Sequence, residues 1–158
     1  MWASSLRLVG PLTGANPGHW ALMPFVEDRI HRFVTEIGSD QQPAQLVKTL
    51  RAHFVSETGL APCWVWLDES GVVRGHVLAW IDPNSKRKSL FVGQVWSDCA
   101  VPEDLRKQLV ASMETHARAL GCWAMEGWCE NPAMLRLYRR IGLATPFMTA
   151  VRHVLEPV

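Results

Sequence analysis

The sequence predicts a mixed α/β (α+β) fold in which helices flank a mostly antiparallel sheet. Strand-like and helical segments alternate along the 158 residues, as they do in layered folds of this class. Three consecutive strand-like runs are joined by short polar turns, which is typical of an antiparallel meander. Each long helical stripe is followed by a glycine, the usual residue beyond a helix end. At this length we expect one domain spanning 1–158.

The composition is that of an ordinary globular protein, with 48% apolar and 20% charged residues. A formal net charge of +1 gives no electrostatic reason to expect nucleic-acid or membrane binding. The eight tryptophans are many for this length and indicate large buried surfaces or an exposed interaction patch. Because neither a signal peptide nor an apolar run long enough to span a bilayer is visible, we expect a soluble, cytoplasmic protein.

The four cysteines predict free thiols and no metal site. None of them has a C-x-x-C spacing, and the six histidines have no metal-ligand spacing. Buried thiols in a reducing compartment are the simplest interpretation. His76 lies within a predicted strand, so we interpret it as a core or sheet-face side chain.

The first third of the chain predicts one strand and two helices. A short apolar run over 6–12 is consistent with a first strand, and 13–18 is expected to be a loop. Apolar residues at helical spacing predict a helix over about 21–37, which Gly38 ends. A second helix is predicted over about 43–57, with its apolar face formed by Leu46, Val47, Leu50 and Phe54.

The middle of the chain predicts three strands and a long helix. The strands are expected over 63–67, 72–81 and 89–96, and the first is apolar on both faces, as a central strand would be. Gly93 inside the third strand indicates a β-bulge or a close backbone approach. A long helix is predicted over 103–120, with Gly121 beyond its end, followed by a short buried strand over 123–129.

The last part of the chain predicts a capped helix and a final strand. Asn131 can cap the helix, and Pro132 suits the first helical position because its missing N–H needs no partner there. Gly142 is a natural residue to follow the helix, and a strand is predicted over 143–155. The predicted order is therefore β-α-α-β-β-β-α-β-α-β. The apolar stripe of this helix consists of Met134, Leu137, Tyr138 and Ile141.

Asn131, Tyr138, Gly142 and Leu143 resemble the Asn … Tyr-x-x-x-Gly-Phe signature of the GNAT superfamily of acyl-CoA-dependent N-acetyltransferases, with Leu in place of Phe. The predicted element order is similar to that family over nearly the whole chain. The resemblance implies acyl transfer from acetyl-CoA to an amine of a small molecule or a protein. It also implies that Asn131 holds the pantetheine arm and that Tyr138 protonates the departing thiolate. By themselves, a capping Asn and a Tyr on an apolar stripe are more often structural.

The resemblance further implies where the thioester and the amine would meet. In the family, backbone N–H groups near the middle of the fourth strand polarise the thioester carbonyl, which corresponds here to Val95, Trp96 and Ser97. A base removes the amine proton directly or through water. Asp98, at the end of that strand, and Glu126, on the next strand, are the candidate carboxylates, although such residues are more often surface or capping groups.

The start of the long helix departs from the family pattern. There the family binds the CoA pyrophosphate with a Gln/Arg-x-x-Gly-x-Gly/Ala turn, because backbone N–H groups at a helix N-terminus point at the anion. Counted back from the helix end, these positions fall on Val101, Asp104 and Arg106, none of which matches. Glu103 and Asp104 suit the helix dipole but would repel a diphosphate. Arg106 and Lys107 are the side chains that could supply positive charge instead.

Two functions follow from these residues. One is a divergent GNAT-like N-acyltransferase that uses acetyl-CoA. The other is a GNAT-fold interaction or structural protein that binds a protein partner without CoA, and such a protein could be virus-encoded, as a virion or accessory component. The Asn131 and Tyr138 pair favours the first function, and Asp104 and Arg106 in place of glycines favour the second. The tryptophan content is compatible with an oligomer in either case.

Overall fold

The computed structural model describes residues 5–37, 40–128, 146–147 and 150–155. Within these residues, helices cover both faces of a mixed sheet with the strand order β1-β2-β3-β4-β5-β7-β6. The helices are α1 (Pro17–Trp20), α2 (Met23–Ile37), α3 (Pro43–Ser56) and α4 (Glu103–Ala119). The strands are β1 (Arg7–Val9), β2 (Cys63–Leu67), β3 (Val73–Ile81), β4 (Ser89–Ser97), β5 (Ala124–Trp128), β6 (Pro146–Phe147) and β7 (Ala150–Val154).

The predicted fold class is confirmed, because the sheet is mixed and mostly antiparallel. Strands β2, β3 and β4 form the expected antiparallel meander. The one parallel pairing among the described strands joins β4 to β5, with α4 as the crossover between them. That connection has the length and the helix that a parallel pair requires. None of the described helices combines the length and the apolar character needed to cross a membrane.

Two predicted elements need correction, and a third lies outside the described residues. The single strand expected over 143–155 is wrong, because β6 and β7 are two strands that pair antiparallel. Pro146 cannot donate to a ladder, and accordingly β6 lies at the edge of the sheet. The loop expected over 13–18 contains the start of α1, where Asn16 Oδ1 accepts from Gly18 N at 2.9 Å. The helix predicted after Asn131 lies outside the described residues.

The apolar stripes predicted for the helices pack on opposite faces of the sheet. One hydrophobic cluster lies beneath α4, and the other lies beneath α2 and α3. The four residues predicted for the apolar face of α3 belong to the second cluster or pack against it, which confirms the register of that helix. The first cluster includes Leu105, Met113, Ala117, Val77, Leu90 and Met125. The second includes Val26, Ile30, Leu50, Phe54, Val65 and Leu78.

Gly93 forms both features that the sequence indicated. Leu78 pairs with Gln94 while the next β3 residue, Ala79, pairs with Val92, so Gly93 is the extra residue of a β-bulge in β4. The ring of Trp80 lies directly over it: a Cβ placed on Gly93 would be 2.0 Å from Trp80 Cζ3. Only a glycine therefore fits beneath this tryptophan.

Candidate active site

The parallel pairing of β4 and β5 ends where the bulge begins. Ser89 pairs with Ala124, and the register continues to Val92 opposite Gly127. Beyond that point β4 stays paired with β3 as far as Ser97, but it has no β5 partner among the described residues. The two strands thus part at Gly93. We call the edge of β4 from 94 to 97, which no described strand pairs on the β5 side, the cleft.

Alternation along the ladder decides which backbone groups of β4 face the cleft. The N–H of Ala79 donates to the Pro62 carbonyl at 3.0 Å, on the side of β3 away from β4. Its neighbours at 78 and 80 therefore face β4, and their partners at 94 and 91 face back toward β3. The N–H and C=O groups of Val95 and Ser97 consequently turn toward the cleft, whereas those of Trp96 turn toward β3.

The side chains of the three predicted thioester-binding residues have different environments. Val95 is 40% exposed, which is high for a valine in a sheet. Trp96 packs against α2, where the guanidinium of Arg29 lies 4.3 Å from its ring centroid. The Ser97 hydroxyl accepts from Trp66 Nε1 at 3.0 Å and donates to the Cys99 carbonyl at 2.7 Å. The Ser97 side chain therefore links Trp66 on β2 to the segment that follows β4.

Asp98 lies at the end of β4 between two arginines. Its Oδ1 accepts from Arg74 Nε at 2.7 Å, and its Oδ2 accepts from Arg29 Nη2 at 3.0 Å. The same Arg29 nitrogen also donates to the Val73 carbonyl at 3.1 Å. Hydrogen bonds to the Asp98 carboxylate raise the pKa of Arg74. Asp98 thus ties α2 to the ends of β3 and β4.

Glu126 lies on β5 in the closed part of the β4–β5 ladder, one pair before the two strands part. It pairs with Phe91 on β4 and with Arg152 on β7, and it is half-buried. Met125 belongs to the cluster beneath α4, so alternation puts Glu126 on the face covered by α2 and α3. Phe91 and Trp80 share this face, with ring centroids 5.3 Å apart. The structure therefore places Glu126 beside an aromatic surface, and places Asp98 in a separate ionic cluster.

A buried polar network, which sequence reasoning missed, lies beneath the bulge. His76 is 0% exposed and Gln94 is 1% exposed, and His76 Nε2 lies 2.8 Å from Gln94 Oε1. Gln94 Nε2 donates to Gln41 Oε1 at 3.0 Å, and Gln41 Nε2 donates to the Gly93 carbonyl at 3.1 Å. The interpretation of His76 as a core residue is confirmed. The available signal for the network was a glutamine inside an otherwise apolar strand run.

Burial sets the protonation of His76. Its removal from water lowers the pKa to about 4, although the hydrogen bond with Gln94 acts in the opposite direction. The positive charge of Arg29 lowers the pKa further. His76 is therefore neutral at pH 7, and its Nδ1 atom is buried with no hydrogen-bond partner among the described residues.

The helix end of the candidate site is the N-terminus of α4. Pro102 occupies the capping position, and its side chain makes no capping hydrogen bond. The first N–H groups of a helix have no partner within the helix itself, so they are candidate donors to an anion. Glu103 and Asp104 are exposed in the first turn. Arg106 is half-buried, and Lys107 Nζ lies 4.0 Å from Glu103 Oε1. Backbone donors and acidic side chains thus lie together at this end.

Asn131 and Tyr138 lie outside the described residues, so their roles stay predictions. Among the described residues, no group of three or more His, Cys, Asp or Glu side chains could hold a metal ion. Three described cysteines are free thiols, and burial raises the pKa of Cys63 to about 12.

Comparisons with known proteins identify the fold. No family model matches the sequence, and no curated protein matches it. Solved structures do match over nearly the whole chain. A probable acetyltransferase has a TM-score of 0.63 at 13% identity, covering 90% of this chain and 91% of the other. A GNAT family acetyltransferase from Brucella melitensis, in complex with acetyl-CoA, has a TM-score of 0.61 at 14% identity, covering 98% and 91%.

A plant enzyme gives the same result. Glucosamine-6-phosphate N-acetyltransferase from Arabidopsis thaliana has a TM-score of 0.58 at 14% identity, covering 93% of this chain and 95% of its own. Identities this low establish architecture and leave activity open, because one fold hosts many functions. The chain has the GNAT fold, as the sequence predicted.

Proposed function

We propose that this protein transfers an acyl group from acyl-CoA, acetyl-CoA in the simplest case, to an amine. The observation that carries the proposal is the cleft, where β4 leaves β5 and turns the Val95 N–H outward. A strand edge of this kind offers backbone donors that need no reorganisation when charge develops on a carbonyl oxygen. The Brucella structure of the same fold is a complex with acetyl-CoA.

In the proposed reaction acetyl-CoA supplies the acyl group as a thioester. The Val95 N–H, with Ser97 as the second candidate, donates to the carbonyl oxygen, and loss of one such donor typically costs about 10²–10³-fold in rate. The amine nitrogen forms the new C–N bond while the C–S bond breaks. A carboxylate accepts the amine proton, and the Tyr138 hydroxyl gives a proton to the departing thiolate.

Of the two candidate bases, Glu126 is the better placed. Both oxygens of Asp98 accept hydrogen bonds from arginines, which fix that carboxylate in the ionic cluster between α2, β3 and the end of β4. Glu126 lies on β5 opposite Phe91, one pair before β4 and β5 part, and on the face covered by α2 and α3. We therefore assign Glu126 the role of proton acceptor, directly or through water, and assign Asp98 the role of an anchor for Arg29 and Arg74.

The fit to the donor differs between its two ends. Val95 suits the thioester, and Asn131 is proposed to bind the pantetheine arm. At the start of α4 the first backbone N–H groups suit a diphosphate, but Glu103 and Asp104 oppose it. Arg106 and Lys107 are proposed to offset part of that repulsion. We therefore expect acetyl-CoA to bind more weakly than it would to a glycine-rich turn.

The first experiment is a titration of the protein with acetyl-CoA, followed by thermal unfolding. Ligand at 100 times Kd should stabilise the native state by about 2.7 kcal/mol. Rates with a panel of amines should then fall about 10²–10⁴-fold in Glu126→Gln and in Tyr138→Phe. Asp98→Asn is the matched control for Glu126→Gln. It should lower the unfolding temperature but change the turnover rate only a little. Unchanged turnover in Glu126→Gln would refute the assigned base.

A second candidate function is favoured by the acidic first turn of α4. Glu103 and Asp104 stand where a diphosphate would bind, which is the arrangement expected of a GNAT fold that has become an interaction module. Such a protein would bind a protein partner and ignore the nucleotide. The absence of any thermal shift at millimolar acetyl-CoA would support this function over the transferase.

A further inference from the structure

A chain of three hydrogen bonds runs from the core of the sheet to the inner end of the cleft. It begins at His76 on β3, passes through Gln94 on β4 and Gln41 before α3, and ends at the Gly93 carbonyl. The first two side chains are 0% and 1% exposed. Burying polar groups is costly unless each is paired, so an apolar pair would have been the simpler way to fill this space.

The direction of every hydrogen bond in the chain follows from its last acceptor. A carbonyl can only accept, so the atom of Gln41 that faces Gly93 is the Nε2 donor, and its Oε1 faces Gln94. Gln94 must then donate through Nε2, which turns its Oε1 toward His76. His76 therefore carries its proton on Nε2, and its Nδ1 has no proton. The buried Nδ1, which has no partner among the described residues, agrees with this tautomer.

The end of the chain lies at the point where β4 and β5 part. The described peptide bonds are trans apart from Gly10–Pro11, so the Gly93 carbonyl and the Gln94 N–H point in opposite directions. Since Gln94 faces β3, the Gly93 carbonyl faces the cleft. Gln41 thus reaches from the connection between α2 and α3 to the cleft side of the bulge. Val95 lies two residues beyond Gly93 on β4, and its N–H also turns to the cleft.

We propose that His76, Gln94 and Gln41 form a positioning relay that latches the α2–α3 connection onto the bulge and fixes the backbone donors of the cleft. The relay sets the plane of the Gly93–Gln94 peptide, and that plane determines the direction in which the Val95 N–H points. It also sets where the connection between the helices meets the cleft. A displacement of about 1 Å at such a site can cost roughly 10²-fold in rate. The catalytic consequence rests on the proposed function, whereas the latch does not.

The latch is tested by NMR on the full chain, with Gln41→Leu as the probe and Gln42→Leu as the control. Gln42 is the exposed neighbour at the α3 cap, where its side chain makes no capping hydrogen bond. Gln41→Leu should move the Gly93 carbonyl ¹³C resonance toward that of a non-bonded carbonyl. It should also speed amide exchange at 40–42 by about fivefold, which corresponds to the net worth of one hydrogen bond. Gln42→Leu should change neither. Equal spectra for the two variants would overturn the latch.

The polarity of the relay has its own test. The ring ¹⁵N shifts of His76 should report the Nε2–H tautomer at neutral pH in the wild type. Gln94→Glu keeps an acceptor for His76 but removes the donor to Gln41. The Nε2–H tautomer of His76 should therefore persist, whereas Gln41 should lose its orientation and its hydrogen bond to the Gly93 carbonyl. An Nδ1–H tautomer in the wild type would overturn the relay. If Gln94→Glu does not fold, the half-buried Gln41 position and the wild-type spectrum still decide the question.

A final measurement separates the relay from the proposed function. Thiol release from acetyl-CoA in water should fall about tenfold or more in Gln41→Leu, with the Kd for acetyl-CoA changed less than about twofold. Gln42→Leu should match the wild type in both. Equal loss of turnover in the two variants would refute the positioning role. A wild type that binds no acetyl-CoA would instead refute the proposed function, and the NMR comparison would still decide the latch.

Discussion

The two ends of the candidate site obtain their backbone donors in different ways. At the strand end, a β-bulge at Gly93 turns the Val95 N–H outward, and buried side chains hold the bulge in place. At the helix end, Pro102 gives α4 no side-chain cap, and two acidic residues occupy the first turn. The strand end thus offers the backbone donors that the proposed transfer needs. The acids at the helix end suit the helix dipole and would oppose an anion.

The difference shows which part of a site survives sequence divergence. The geometry at the strand end depends on sheet topology and on one glycine beneath Trp80, and both belong to the folded core. The charge at the helix end depends on exposed side chains, which can change at little cost to folding. Under the proposed function, sequence change would therefore alter the helix end of the site more readily than the strand end. Four experiments test this contrast, in order of decreasing expected effect.

The largest effect is expected from the buried His76 at the strand end. Its pKa is lowered to about 4 in the folded state, against 6.5 for the unfolded chain. Between those values the unfolded state binds the extra proton, so stability is present above pH 6.5 and is lost as pH falls toward 4. The loss should be roughly 3 kcal/mol. Denaturant unfolding at pH 7 and pH 4 measures it.

The control for this effect is His76→Gln, which keeps an N–H donor for Gln94 and removes the titrating group. Between pH 7 and pH 4, the free energy of unfolding of His76→Gln should fall by roughly 3 kcal/mol less than that of the wild type. Carboxylates that titrate in this range contribute equally to both proteins and cancel in the comparison. The Arg29 charge that faces His76 is also unchanged. Identical pH slopes would mean that His76 is not held neutral.

The next effect is expected from the bulge glycine. In Gly93→Ala the new Cβ would meet the Trp80 ring at 2.0 Å, so the ring or the strand must move. Overpacking of this kind should cost about 1–3 kcal/mol of unfolding free energy. Gly127→Ala, across the cleft margin, is the matched control because its Cβ would lie 3.5 Å from Val92. Trp80→Leu should recover part of the loss in Gly93→Ala. Equal losses of unfolding free energy in the two variants would show that the close packing of Trp80 on Gly93 does not contribute to stability.

A smaller effect is expected at the helix end. Glu103→Gln combined with Asp104→Asn removes two charges from the first turn of α4. Each charge near a helix terminus is worth about 0.3–1 kcal/mol, so the Kd for acetyl-CoA should fall about threefold to thirtyfold. Helix stability should move the other way, because the same charges suit the dipole. Calorimetry at low and high salt measures both trends. Glu57→Gln, on an exposed residue at the end of α3, should leave the Kd unchanged.

The smallest effect is expected from Lys107 on stability. Its ion pair with Glu103 spans 4.0 Å between side chains that are more than half exposed, so Lys107→Met should alter unfolding by less than about 0.5 kcal/mol. If Lys107 also binds the diphosphate, the Kd for acetyl-CoA should rise about 1.4-fold to fivefold, as for one exposed charge pair. Lys48→Met on α3 is the control. A stability loss without any change in Kd would restrict Lys107 to the ion pair.

Local patterns predicted the elements well where the apolar period was long. The stripes of α2, α3 and α4 identified the residues that the two core clusters bury. Shorter signals are less decisive. An Asn-Pro pair indicates a helix start at Asn131 and Pro132, and the same pair at Asn16 and Pro17 caps α1, where the sequence predicts a loop. A cap signal followed by few apolar residues is hard to distinguish from a turn, because both use the same side-chain hydrogen bonds.

The sequence by itself determined the fold class, the order of the strands and helices, and the acids at the start of α4, because these depend on periodicity and local chemistry. The tertiary structure decided where β4 leaves β5, which N–H groups face the cleft, and how Asp98 and Glu126 differ. It also decided that Gln41, from a connecting segment, reaches a glycine 52 positions away. Such contacts depend on register between distant strands, and no local pattern in the chain specifies that register.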